Sequence, residues 1–177
     1  MSETGVTKHV LAYALRDLIK DRPLSKITVG DICTACDMNR KSFYYHFRDK
    51  YDLVNWIFYT DFFGSAARDG DRGDVLERMC VYLAKNRPFY QAVLHDRGQN
   101  SFYEYLGDVI RPIVCQRMAS ADLRGADERF ATEMIVSLYR GMLVEWVCDR
   151  DGQDAAGFIR KLYRSSAVLA EITPDTH

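Results

Sequence analysis

Thr28, Asn39 and Asp49 constrain this chain more than any feature of its composition. Each is a short polar side chain set just ahead of an apolar-periodic run, where it can accept hydrogen bonds from the first free N–H groups of a helix. Helix starts this close together leave room only for short helices joined by tight turns. Upstream, Val10, Leu11, Ala14, Leu15, Leu18 and Ile19 recur at helical spacing and predict a first helix closed near Pro23, with Thr7 or Thr4 available as its cap. Thr28 then opens a second helix running to about Cys36, with Asp31 placed as a carboxylate near its positive end. Asp37-Met38-Asn39 interrupts it with residues that tolerate left-handed backbone, and Asn39 caps a third helix from Arg40 to about Phe47. Asp49 caps a long fourth helix whose Leu53, Val54, Trp56, Ile57, Phe58, Phe62 and Phe63 cover most of its circumference, so it is gripped from more than one side.

The polar, glycine-bearing stretch Arg68–Asp74 reads as a loop or hinge. Beyond it the pattern predicts helices at 74–86, 88–96 (Pro88 in the first turn), 101–119 (Ser101 as cap, a kink possible at Pro112), 127–149 and 154–170. Strand alternation is absent. The expected fold is all-α: an N-terminal three-helix helix-turn-helix module followed by a C-terminal helical bundle, about nine helices in 177 residues.

Formal charge is −1, which excludes a basic nucleic-acid coat; nine Lys/Arg against seven Asp/Glu in residues 1–60 leave +2 there and −3 in the remainder. No leader pattern or long apolar run appears, so the expectation is a cytoplasmic protein with no membrane partner. The five cysteines, at 33, 36, 80, 115 and 148, lack framework spacing and fit reduced thiols. Cys33-Thr34-Ala35-Cys36 has no second ligand pair to complete a zinc set, so two thiols packed under a neighbouring helix are expected, with no metal and no cofactor.

The third helix carries the chemistry. With about 100° per residue, Phe43 and Phe47 fall about 40° apart and form one inward pair. Lys41, Ser42, Tyr44 and Tyr45 then lie on the far side, flanked by Arg40 and His46. Two cations, a hydroxyl and two tyrosines are a poor way to meet water and a good way to meet a DNA groove: tyrosine and histidine reach phosphate oxygens, arginine and lysine reach guanine edges, and a helix has the width of the major groove. Helix, turn and helix are the geometry that presents such a face.

From Ile27 to Leu53, "ITVGDICTACDMNRKSFYYHFRDKYDL" resembles the DNA-binding module of the TetR family of transcriptional regulators. The resemblance implies that Tyr44, His46 and Lys50 contact phosphates, supported by Thr28 and Ser42, and that Arg40, Lys41 and Tyr45 face the bases of a double-stranded DNA operator. Asp37 stands where many members have glycine, and Gly30 where some carry a base-reading arginine, which implies that the second helix contributes less to sequence choice. DKYDLVNWIFYTDF, with the later RPFYQAVL and GQNSFYEYL, is similar to a narrower branch that includes activators of dihydroxyacetone-kinase operons. That likeness implies a signal taken from a partner protein in place of a small molecule.

Phe89, Tyr90, Phe102 and Tyr103, with Tyr105, can line an effector pocket or serve as core. His9 and His95 lack ligand partners and read as surface or capping residues. The last two helices carry wide apolar faces, and a chain of this size buries one internally. Leu138, Tyr139, Met142, Leu143, Trp146, Phe158 and Leu162 are therefore expected at a twofold four-helix contact, with Ala131 and Gly141 allowing close approach. The TetR resemblance implies the same homodimer and a near-palindromic operator. The reading divides the chain into residues 1–48, which bind DNA, and 49–177, which dimerise and sense a small molecule or a co-regulator protein. A module whose main ligand is a protein would retain the same helices. An enzyme is disfavoured, because no acid/base pair, metal set or phosphate-cradling loop appears.

Overall fold

The computed structural model describes residues 3–64, 74–95, 101–119, 125–149, 152 and 154–172. Among them are nine α-helices and no strand: α1 (Glu3–Asp21), α2 (Val29–Ala35), α3 (Arg40–His46), α4 (Lys50–Phe58), α5 (Val75–Lys85), α6 (Arg87–Leu94), α7 (Phe102–Met118), α8 (Gly125–Cys148) and α9 (Ala155–Ile172). The expected loop at Arg68–Gly73 lies outside the described residues, as do the acidic positions Asp69 and Asp71.

The helix starts follow their caps. Thr28 and Asp31 form a reciprocal capping box, each side chain accepting the other's backbone N–H, at 3.1 and 2.8 Å. Asn39 Oδ1 accepts from Ser42 N at 2.8 Å, and Asp49 Oδ1 accepts from Tyr51 N and Asp52 N. Asp74 caps α5 through the N–H groups of Leu76 and Glu77. Two expected caps are corrected. Helix α1 begins at Glu3, so Thr4 and Thr7 lie within it, Gly5 costing too little in the first turn to stop it. Ser101 precedes α7 but its buried side chain makes no cap bond.

A short 3₁₀ turn at Leu24–Lys26, not expected from periodicity, carries the chain from α1 to α2. Lys50 holds it, donating Nζ to the carbonyls of Leu24 (2.6 Å) and Ile27 (3.0 Å). At its far end α4 widens into a π-helical turn, Tyr59–Phe63. Its rings join an aromatic cluster in which Phe58 meets Phe62, Tyr82, Tyr90, Phe102 and Tyr105 at centroid separations of 5.2 to 6.1 Å.

Helix α1 packs on α2 and α4 by one side and on α6 by another, so it belongs to both ends of the molecule. A polar knot fastens it there. Arg16 pairs with Asp61 of the π turn and lies 4.8 Å over the Phe89 ring. Tyr82 Oη donates to Asp61 at 3.4 Å, and Tyr82 and Tyr90 share a 2.8 Å hydrogen bond. Burial pushes the Tyr82 hydroxyl up to about 12 and Tyr90 well above its ordinary value, so both stay protonated. Elsewhere α7 packs along α8, α9 on α5, and α6 on α8.

All five cysteines are free thiols; Cys33 is buried and Cys36 half-buried, its Sγ donating to the Ile32 carbonyl at 3.2 Å. No three His, Cys, Asp or Glu residues converge as a metal site among the described residues. No described helix is long and apolar enough to cross a membrane.

Urea unfolding should separate the two kinds of support. Thr28→Ala is expected to cost about 1 kcal/mol, the worth of a cap, and Phe43→Ala about 3 to 5 kcal/mol, the worth of a core ring; equal losses would contradict the assignment. Hydrogen bonds from the Thr28 backbone and hydroxyl, with Arg22 alongside, hold the Asp31 carboxyl below its usual value. Its contribution is therefore present above the unfolded carboxylate pKa and is lost as pH falls through the folded one. Asp31→Asn should remove that part of the acid sensitivity.

Candidate nucleic-acid interface

Helix α3 is two turns long and is oriented by its apolar side. Phe43 is 0 % and Phe47 3 % exposed, their rings 5.8 Å apart. Preceding the helix, Asp37 adopts φ 52°, the left-handed angle that lets the chain reverse between α2 and α3. With the phenylalanines sealed, the opposite face turns outward: Tyr44 is 57 % and Tyr45 80 % exposed, and Arg40 and Lys41 are exposed beside them. Neither Arg40 nor Lys41 makes an ion pair with any described residue. Their charge and donors are directed to solvent, in a helix slender enough to enter the major groove.

The flanking residues differ in what they have to spare. Ser42 is half-buried, its N–H held by Asn39. Thr28 is exposed, but its hydroxyl proton is committed to Asp31 at 2.8 Å, and it fixes the start of α2. Lys50 is half-buried and anchored to the Leu24 and Ile27 carbonyls, which ties its positive charge to the flank of the motif. His46 is half-buried against Tyr45, with ring centroids 4.9 Å apart. Partial burial and then the charge of Lys8 lower its pKa, so the free protein carries a neutral imidazole at pH 7.

Lys8 was not legible as part of this surface. It comes from α1, with its Nζ 5.6 Å from the Phe47 ring and 5.9 Å from the Trp56 ring, and adds a cation beside His46. Spacing along the chain contains no signal for a residue delivered by a neighbouring helix. His9, expected as a surface or capping residue, packs edge-on to Trp56 at 5.1 Å.

The aromatic residues read either as pocket lining or as core are mostly packed inside the chain. Tyr90 and Phe102 are 0 % and 1 % exposed and stack on each other at 4.8 Å. Tyr103 lies under the Arg140 guanidinium, 4.3 Å from the ring. Phe89 reaches a cleft of about 490 Å³ on the other side of α6, lined with Tyr13, Arg16 and Lys20 of α1.

The residues expected at a subunit contact divide by burial within the chain. Leu143, Trp146, Phe158 and Leu162 are between 0 % and 6 % exposed within one chain, with Trp146 of α8 and Phe158 of α9 stacked at 4.5 Å. Tyr139 is half-buried. Leu138 and Met142 remain exposed at 40 % and 41 %, in line with Phe130 (73 %) and Met134 (56 %). Four-residue spacing makes these last four one stripe on the outer edge of α8.

Known proteins agree with this architecture. Residues 13–57 match the family profile described as bacterial regulatory proteins, tetR family, and residues 73–166 match a profile described as transcriptional regulator C-terminal region. The chain is 30 % identical over 99 residues to the HTH-type dhaKLM operon transcriptional activator DhaS of Lactococcus lactis, a match spanning 52 % of this chain and 51 % of that protein, so about half the length of its curated relative. Among solved structures, the dihydroxyacetone kinase operon activator DhaS superposes with TM-score 0.59 at 21 % identity, over 94 % of this chain and 96 % of the other. A TetR transcriptional regulator from Streptococcus agalactiae gives 0.64 at 20 %, over 90 % and 92 %. NalD, the secondary repressor of the MexAB-OprM multidrug efflux pump in Pseudomonas aeruginosa, gives 0.56 at 16 %, over 92 % and 96 %. The helix-turn-helix with its outward cationic and tyrosine face, and both family profiles, lead to one conclusion: this chain is a DNA-binding transcriptional regulator of the TetR family.

Proposed function

We propose that the protein acts as a homodimer on a near-palindromic operator, each subunit placing α3 in the major groove. The observation that carries this reading is the division of α3 into a sealed side, Phe43 and Phe47, and an open side, Arg40, Lys41, Tyr44 and Tyr45. In this reading residues 1–48 bind DNA and residues 49–177 dimerise and sense, in the cytoplasm where the operator is. Arg40, Lys41 and Tyr45 face base edges. Tyr44, His46 and Lys50 contact phosphates, with Thr28 and Ser42 as supports.

The second subunit covers the α8 stripe of Phe130, Met134, Leu138 and Met142. Gly141 supports this, since a β-carbon there would meet nothing within 4 Å, leaving space for another helix to approach. A twofold axis through this edge pairs two α8 helices. With Tyr90 and Phe102 filling the interior, the regulatory signal enters from the surface, as a co-regulator protein or as a small molecule in the cleft between α1 and α6.

Three measurements test the reading on an operator selected from genomic fragments. Tyr44→Phe should weaken all duplexes alike. Lys50→Gln, which keeps a donor for the Leu24 and Ile27 carbonyls, should reduce the salt slope by about one, and Arg40→Ala should relax preference at one base position. Unchanged affinity in all three would discredit the interface. A phosphate beside His46 favours the imidazolium that the free protein disfavours, so binding takes up a proton; affinity should rise as pH falls from about 8 to about 6, by at most about tenfold per pH unit. His46→Gln should flatten that dependence. Finally, the paired change Met134→Asp, Met142→Asp should shift the sedimenting mass from dimer to monomer and abolish the advantage of a palindrome over a half-site; a persistent dimer would place the contact elsewhere.

A further inference from the structure

Gly30 is the second residue of α2 and adopts an ordinary helical conformation, since Gly125 is the glycine with positive φ among the described residues. Its backbone therefore does not require glycine, and in a helix glycine is a poor choice beside alanine. What glycine leaves there is space. A β-carbon at this position would lie 2.6 Å from Arg40 Nη2 and 3.3 Å from both Cζ and Nε. The arginine at the start of α3 reaches back across the turn and lays its guanidinium on the bare ridge of α2. Its charge is felt one turn further on, at Cys33, where it opposes the rise in thiol pKa caused by burial.

We infer that Gly30 is a specificity-determining residue of the operator contact: it provides the seat that fixes the direction of the Arg40 guanidinium and so selects which base edge that group reads. The inference rests on the reading of α3 as the DNA-facing helix and deepens it. Arg40 makes no hydrogen bond or ion pair with any described residue, so its donors remain available for a pair of acceptors. Guanine, with O6 and N7 on one edge, fits a planar fork of this kind. Seating the long side chain before DNA arrives reduces the rotamer entropy lost on binding. The second helix thus acts on sequence choice through the side chain it lacks.

The test uses the full-length protein and a selected operator, with affinities measured for duplexes changed at each base position in turn. Gly30→Ala should reduce discrimination at a single position from about 10- to 100-fold to a few-fold. Arg40→Ala should act at that same position, and the double variant should be no worse than Arg40→Ala alone. The melting temperature of Gly30→Ala should equal or exceed that of the wild type, because alanine is the better helix former, and its affinity for unrelated duplexes should be unchanged. The seat is overturned if Gly30→Ala keeps full discrimination while Arg40→Ala loses it, if the two variants affect different positions or add, or if Gly30→Ala weakens all duplexes equally or melts earlier. A wild type that selects no duplex overturns the regulator reading itself, a result distinct from each of these.

Discussion

The burial of Phe43 orients the outward face of α3. A helix of two turns has little stability of its own, so α3 holds its place because it packs on α2 and because Phe43, with Phe47 behind it, is sealed in the core. Removing that ring from water contributes more than any surface pair in the region could. The orientation of the polar face follows geometrically. At about 100° per residue, sealing positions 43 and 47 leaves 41, 44 and 45 nowhere to point but outward. Caps at Asn39 and Asp49 and the left-handed Asp37 decide where the helix begins and at what angle it enters. The outward polar face of α3 is thus a consequence of packing beneath it.

The same economy applies at the junction between the DNA-binding end and the rest of the chain. Arg16, Asp61, Tyr82 and Tyr90 come from α1, the π turn after α4, α5 and α6, and are linked by hydrogen bonds and one ion pair. A half-buried network of this sort is costly to leave partly satisfied. The π turn matters because it brings Asp61 to Arg16 while its rings stay in the aromatic cluster. Relatives of this fold include both an activator and a repressor. The fold by itself therefore does not set the sign of regulation.

Local chemistry alone determined a good deal here: helical periodicity, the caps at Thr28, Asn39 and Asp49, and the opposition of Phe43 to Tyr44 and Tyr45 are properties of neighbours within a few residues, and they appear in the fold as read. The rest required the partners that only tertiary structure supplies. Whether an apolar face meets its own chain or another depends on which helix covers it. Trp146 and Phe158 proved to be core, stacked on each other across α8 and α9, while Phe130 and Met134 stay outside. Aromatic composition cannot distinguish a lined cavity from a filled one, and Tyr90 with Phe102 filled it. Lys8 joined the surface from a distant helix, and Lys50 turned to carbonyls of a turn that periodicity does not signal. The seat of Arg40 on Gly30 belongs to the same class. A periodic pattern records direction around one helix axis, whereas burial, proximity and vacancy are relations between axes, set by how the helices pack.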